Sequence, residues 1–318
     1  MKKIIILLVV LSTLIFASEN KTLNKKIAYI VSDTSIPFWQ IMTKGLKDKS
    51  LKLGYEVNIY NSNNTRKNEI ENFSKALKEN VSGIVLSPIN SSSAVFLLKL
   101  AKQAKIPVVI SDIGTDSGEY VSFISSNNYD GAYKIGKVLA SKMYEMNIQN
   151  SSVGIIGIPQ QRENGKDRTK GFLKAINEEG IKSAGLEQQV NFSKQETYDL
   201  ASKLIKENPN MKALWLQGSD KYQGALDAIR DQNKDGEILL ICFDSEPEFL
   251  EMIPNGKLVG AAMQQPFLMG SIALEQLHKH LNGKKVKRDI QLEILAIDEK
   301  NINSKLTLIK RNVLGITE

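Results

Sequence analysis

Lys26-Ile27-Ala28-Tyr29-Ile30-Val31-Ser32-Asp33, followed by Ile36-Pro37-Phe38-Trp39 and a helical pattern that runs to Gly54, is the stretch that decides the fold. An apolar run of strand length empties into a short loop, and the loop presents two adjacent aromatic rings at a helix start. Gly54 stands where the helix needs a C-cap. In a parallel α/β sheet the loop after a strand's carboxyl end is the mouth of a ligand crevice.

The same alternation spreads outward along the chain. Strands are expected at 26–33, 56–61, 83–87, 107–112, 121–126, 153–158, 188–192, 213–218, 237–243 and 258–264. Helices are expected at 38–53, 65–79, 91–104, 130–146, 166–179, 195–207, 220–232 and 266–282. Several strands are near-continuous apolar runs, such as Gly83-Ile84-Val85-Leu86 and Ile238-Leu239-Leu240-Ile241. Strands covered by helices on both faces read that way. Pro37, Pro88, Pro107, Pro159, Pro247 and Pro266 all fall at element boundaries. The fold class is therefore α/β, with parallel sheets and right-handed crossovers. Ten strands are many for one compact doubly wound sheet, so two sheets in two lobes are expected, with the break near Ser126-Asn127-Asn128.

A chain of 318 residues, 42% hydrophobic and 24% charged, is long enough for two cores. Residues 1–17 read as a secretory signal: Lys2 and Lys3 make the basic start, Ile4 to Leu11 the apolar run, and Ala17 the cleavage site. The apolar run is shorter than the roughly 20 residues of a spanning helix, and no cysteine near the site offers a lipid anchor. The formal charge is +7. Its lysines are spread over helix faces rather than clustered, which with export excludes nucleic acid as the expected partner. The single cysteine, Cys242, lies in an apolar run and reads as a buried thiol. His278 and His280, two residues apart, do not share a helix face and read as surface side chains. Asp231 to Gly236 copies the first half of a calcium loop, but Cys242 stands where the bidentate glutamate belongs, so a turn is expected. No nucleophile has a persuasive base. No catalytic set, metal or cofactor is expected.

Read together, these segments resemble the ribose-type periplasmic sugar-binding proteins, the solute-binding components of ABC importers. The marks are Pro37-Phe38-Trp39, Leu53-Gly54-Tyr55, Gly83 to Pro88, Ile106 to Asp112, Arg168 to Phe172, Gly224-Ala225-Leu226, Phe243-Asp244 and Gln264-Gln265-Pro266. The resemblance implies two similar doubly wound lobes joined by a three-stranded hinge, with ligand closed between them. The chain would cross near Asn127, Gln264 and Leu292. One lobe would comprise 26–126 plus 265–291, the other 127–264 plus 292–318.

Sugars offer C–H faces that stack on aromatic rings and hydroxyls that need fixed donors and acceptors. Phe38 and Trp39 are the stacking candidates of the first lobe, and at a helix start they also suit core packing. Asp112, at the end of a strand, can accept hydroxyl hydrogens or cap a loop. Arg168 offers a rigid fork of donors, or a surface ion pair with Glu163 or Asp167. Phe192 is similar to the family's second-lobe stacking ring, and it also suits a core position. Asp244 ends a very apolar strand and needs partners there. Gln264 falls on an expected crossing strand. Ile36, Ile113 and Gly218 stand where the family has asparagine, arginine and asparagine, so ribose itself is expected to fit poorly. The expected protein is periplasmic and monomeric, closes on its ligand by hinge motion, and is read by an ABC importer permease or by a membrane sensor kinase.

Overall fold

The computed structural model describes residues 25–316. The secretory signal expected at 1–17 lies outside the described residues.

Twelve strands are present among the described residues: β1 Lys26–Val31, β2 Glu56–Asn61, β3 Gly83–Leu86, β4 Val108–Ser111, β5 Ser122–Ser126, β6 Ser152–Gly157, β7 Lys182–Gln188, β8 Met211–Leu216, β9 Leu239–Phe243, β10 Gly260–Met263, β11 Asp289–Leu292 and β12 Leu295–Asp298. The helices are α1 Pro37–Leu53, α2 Arg66–Lys78, α3 Ser91–Ala104, α4 Asn128–Glu145, α5 Glu163–Glu178, α6 Lys194–Glu207, α7 Tyr222–Asp231, α8 Phe249–Met252, α9 Pro266–Leu281 and α10 Ile302–Leu308, which runs into one wider turn at Ile309–Val313.

The strands form two six-stranded sheets with the same plan, ordered β11-β5-β4-β3-β1-β2 and β12-β10-β9-β8-β6-β7. Every pairing is parallel except β10 with β12. The chain passes between sheets at Asn127, at Gln264 and Gln265, and at Glu293 and Ile294. Each sheet buries apolar side chains on both faces, which yields four clusters of core residues. That double coverage is why β3, β4 and β10 are buried along their whole length.

The repeat of plan extends to the helices. α1 lies against α9 in the first lobe, and α5 against α4 in the second. Gly45 and Gly171 each occupy the ninth position of their helix. A Cβ on Gly45 would sit 2.0 Å from the Phe267 carbonyl oxygen, and one on Gly171 would sit 2.2 Å from that of Tyr129. Only glycine lets the helix axes approach this closely.

Apart from shifts at element ends, β7 is displaced from the pattern read in the sequence, and β11, β12, α8 and α10 have no counterpart in it. The strand expected at 188–192 is Lys182–Gln188, and the residues after it form a loop. A capping box takes up their backbone: Ser193 Oγ accepts from the Glu196 N–H at 3.0 Å, and the Glu196 carboxylate accepts from the N–H groups of Val190, Asn191 and Phe192. β11 and β12 are four residues each, too short and too polar in alternation to stand out.

Candidate functional site

The loops at the carboxyl ends of the strands meet between the lobes in a crevice of three compartments. The central one, about 30 Å³, lies between Ile36, Phe38 and Ile41 of the first lobe and Asp220, Asp244 and Glu246 of the second. A compartment of about 200 Å³ has Ser32, Trp39 and Asn64 on one side and Arg162 and Phe192 on the other. A third, about 430 Å³, runs from Asp112 and Thr115 to Asn128 and Asp167. Arg162 Nη2 donates to Asn64 Oδ1 at 3.1 Å, a direct bond from one lobe to the other.

Arg168 organises the second-lobe wall. It projects from the first turns of α5 and is 3% exposed. Its Nε donates to Asn128 Oδ1 at 2.8 Å and its Nη1 to the Gln217 carbonyl at 2.6 Å. The same Nη1 lies 3.6 Å from Asp244 Oδ2, and the guanidinium sits 3.8 Å from the Phe243 ring centroid. The surface ion pair with Glu163 or Asp167 does not form; Glu163 pairs with Lys166. Burial pulls the Arg168 pKa down, and Asp244 and then Asp112 oppose that pull. A guanidinium held on several edges is a fixed donor array.

Three candidate residues share an uncommon backbone. Asp112, Phe192 and Asp244 have φ of +66°, +53° and +67°. Aspartate tolerates this region better than most residues, whereas phenylalanine there is unusual. The turn re-aims each side chain at a strand or loop end toward the crevice. Asp244 accepts from Gln264 Nε2 at 2.6 Å, so these two candidates are bonded to each other. Asp112 is 5% exposed and its Oδ1 has no protein partner. Burial pushes the Asp112 carboxyl up to about 6, with Arg168 pulling it down and Asp244 raising it. Gln264 is 2% exposed, and its Oε1 is likewise unpartnered.

The aromatic pair divides its work. Trp39 is 6% exposed and packs into the first-lobe core with Tyr29 and Met42. Phe38 meets it edge-on at 5.0 Å between ring centroids and lines the central compartment. Phe192 faces the 200 Å³ compartment with the Arg162 guanidinium 5.6 Å from its ring centroid. Ile36 lines the central compartment, whereas Ile113 turns into the core. An added Cβ on Gly218 would meet nothing nearer than 3.7 Å, so this position leaves room.

Sequence reading missed Arg162, Asn64, Asn128, Gln217 and Glu246. Asn128 and Gln217 hold Arg168, and Glu246 accepts from Ser219 Oγ at 2.8 Å. Burial pushes Glu246 up to about 7, helped by Asp220 and Asp244. The one signal for this group was the polar run Ser219-Asp220 next to Gly218. Among the described residues no set of three acids, histidines or cysteines converges as metal ligands would.

A family described as periplasmic binding protein domain matches residues 27–285. The chain belongs to this family. Its members are ligand-binding transport proteins. Among curated relatives, the ribose import binding protein RbsB of Haemophilus influenzae is 26% identical over 89% of this chain and 94% of its own length. The D-allose-binding periplasmic protein of Escherichia coli is 23% identical over 85% of this chain and 89% of its own. A solved carbohydrate transporter solute-binding protein from Agrobacterium radiobacter, in complex with D-arabinose, superposes with a TM-score of 0.82 at 22% identity, covering 91% of this chain and 98% of that one. The fold is the two-lobed periplasmic binding protein fold. No helix among the described residues is long and apolar enough to cross a membrane.

Proposed function

We propose that this protein captures a small polyhydroxylated ligand, a monosaccharide or related polyol, between its lobes in the periplasm and delivers it to an ABC importer. One observation carries the reading: buried Arg168, held by Asn128, Gln217 and Asp244, lies near enough to first-lobe Asp112 for each to shift the other's pKa, and Asp112 Oδ1 has no protein partner. Fixed donors on one wall and free acceptors on the other suit hydroxyls, which donate and accept at once. The lobes close over the ligand because it contacts both, which stabilises the closed form over the open one. The relatives named for import favour delivery to a permease over presentation to a sensor kinase. The exported chain loses residues 1–17 and acts as a monomer. Ligand roles are assigned to Phe38, Trp39, Asp112, Arg168, Phe192, Asp244 and Gln264. With Ile36 apolar and the site open at Gly218, ribose is not the preferred sugar.

The test is a thermal-shift screen of the secreted protein against pentoses, hexoses and small polyols. A ligand at a hundred times its dissociation constant stabilises the fold by about 2.7 kcal/mol. Arg168→Ala and Asp244→Ala should abolish the shift, and a shift that survives both would remove the proposed site.

A further inference from the structure

The 430 Å³ compartment has a lining that a neutral sugar does not account for. Its walls carry four carboxylates, Asp112 and Asp116 from the first lobe and Glu163 and Asp167 from the second, and neither a lysine nor an arginine. Glu163 is paired with Lys166 at 3.1 Å. Asp112, Asp116 and Asp167 make no ion pair among the described residues. Three residues lining the same space are 3 to 5% exposed and hold side-chain oxygens without a protein partner: Asp112 Oδ1, Ser91 Oγ and Ser126 Oγ. Asn164 Oδ1, also on a lining residue, is a fourth. Every one of these atoms can accept a hydrogen bond.

Such a chamber wants positive charge and N–H donors together. A compartment lined by carboxylates concentrates counter-charge inside it, although Arg168 and Arg162 already act on Asp112, and Lys170 and Lys166 on Asp167. A metal ion does not suit the lining, because the acids do not converge on one point. A protonated amine does: it is a compact charge with three donors and can be shared among separated acceptors.

We propose that this compartment receives a protonated amine, so that the ligand is an amino sugar or aminopolyol. Its hydroxyls reach Arg168 and Asp244, and its ammonium lies among Asp112, Asp116 and Asp167. This rests on the reading of the crevice as a polyol site. Burial raises the Asp112 and Asp167 carboxyls above their ordinary range, a cost that an ammonium beside them would relieve.

The experiment is calorimetric titration of the secreted protein at pH 7.5 with matched pairs: glucosamine and glucose, galactosamine and galactose, serinol and glycerol, with N-acetylglucosamine as the uncharged amine derivative. The amine member of at least one pair should bind about tenfold or more tighter than its neutral parent, with the preference shrinking as salt is raised. The double variant Asp116→Asn/Asp167→Asn should bring that ratio close to one, with its melting curve confirming a folded protein. Neutral parents that bind as well as the amines, or a preference that persists in the double variant, would overturn the amine site and leave the polyol reading standing. Failure of both members of every pair to bind would overturn the polyol reading and the amine site with it.

Discussion

Asp112 and Asp244 stand at the same place in the two lobes, each one residue beyond the end of a buried strand, with φ of +66° and +67°. Each keeps its backbone N–H in the sheet, Asp112 bonded to the Ile124 carbonyl at 2.8 Å and Asp244 to that of Ala262 at 2.9 Å. The carboxylates are thus thrown off the sheet edge by the turn while the backbone stays paired. Their partners differ. Asp244 is held by Gln264 and Arg168, and Asp112 keeps a bare oxygen. The second-lobe acid is fixed by protein partners, whereas the first-lobe acid keeps one side-chain oxygen without one.

Replacing Asp112 by glycine separates stability from binding. Glycine adopts positive φ without strain, and the change removes a buried carboxylate. Asp112→Gly should match or exceed the wild type in urea denaturation, by up to about 1 kcal/mol, while ligand affinity falls at least about tenfold. A variant that loses both stability and binding would show that Asp112 serves the fold.

The crevice acids also set a pH dependence. Asp112 is raised to about 6 and Glu246 to about 7, both above their ordinary carboxylate values. In the window from about pH 4 to 7 the folded form therefore binds more protons than the unfolded chain, and stability falls as pH rises. The difference in melting temperature between Glu246→Gln and the ligand-free wild type should grow from pH 5 to pH 8 in favour of the variant. A difference that stays constant across that range would contradict the assignment.

The bond from Arg162 to Asn64 ties the lobes outside the central compartment. It is one partly exposed hydrogen bond, of about 0.5–1.5 kcal/mol. Arg162→Ala should weaken ligand binding by about two- to tenfold, mainly through faster release. The ligand-free variant should also have a larger radius of gyration by X-ray scattering than the wild type. Identical scattering would mean that the bond does not hold the lobes.

The close approach of α1 to α9 leaves no space at Gly45. A methyl group there would force the helices apart, so Gly45→Ala should destabilise the protein by about 1–3 kcal/mol. Gly171→Ala should do the same in the second lobe. Thermal melts of the two variants would check both, and unchanged melting temperatures would show that the helices can shift freely.

Much of this was legible from one chain because it depends on local pattern. The apolar runs that became β3, β4 and β9 are continuous since both faces of each sheet are covered. Pro37 and Gly54 bracket α1 because each suits one helix end only. β7 was misplaced because the Ser193–Glu196 capping box, which claims the backbone of 190–192, outweighs the apolar look of Val190 and Phe192. Arg162 was missed since no pattern distinguishes it from a surface arginine until the lobes face each other.

The amino-acid sequence by itself determined the alternation of strands and helices, the division into two sheets and the candidate residues at strand ends, since all of these follow from periodicity and local backbone preference. Only the tertiary structure decided which of those residues meet. The left-handed turns at Asp112, Phe192 and Asp244, the burial of Arg168 against Asn128 and Gln217, and the acidic compartment beside Asp112 arise from segments far apart in the chain. Their charges and unpartnered oxygens acquire meaning only when folding removes them from water and sets them against one another.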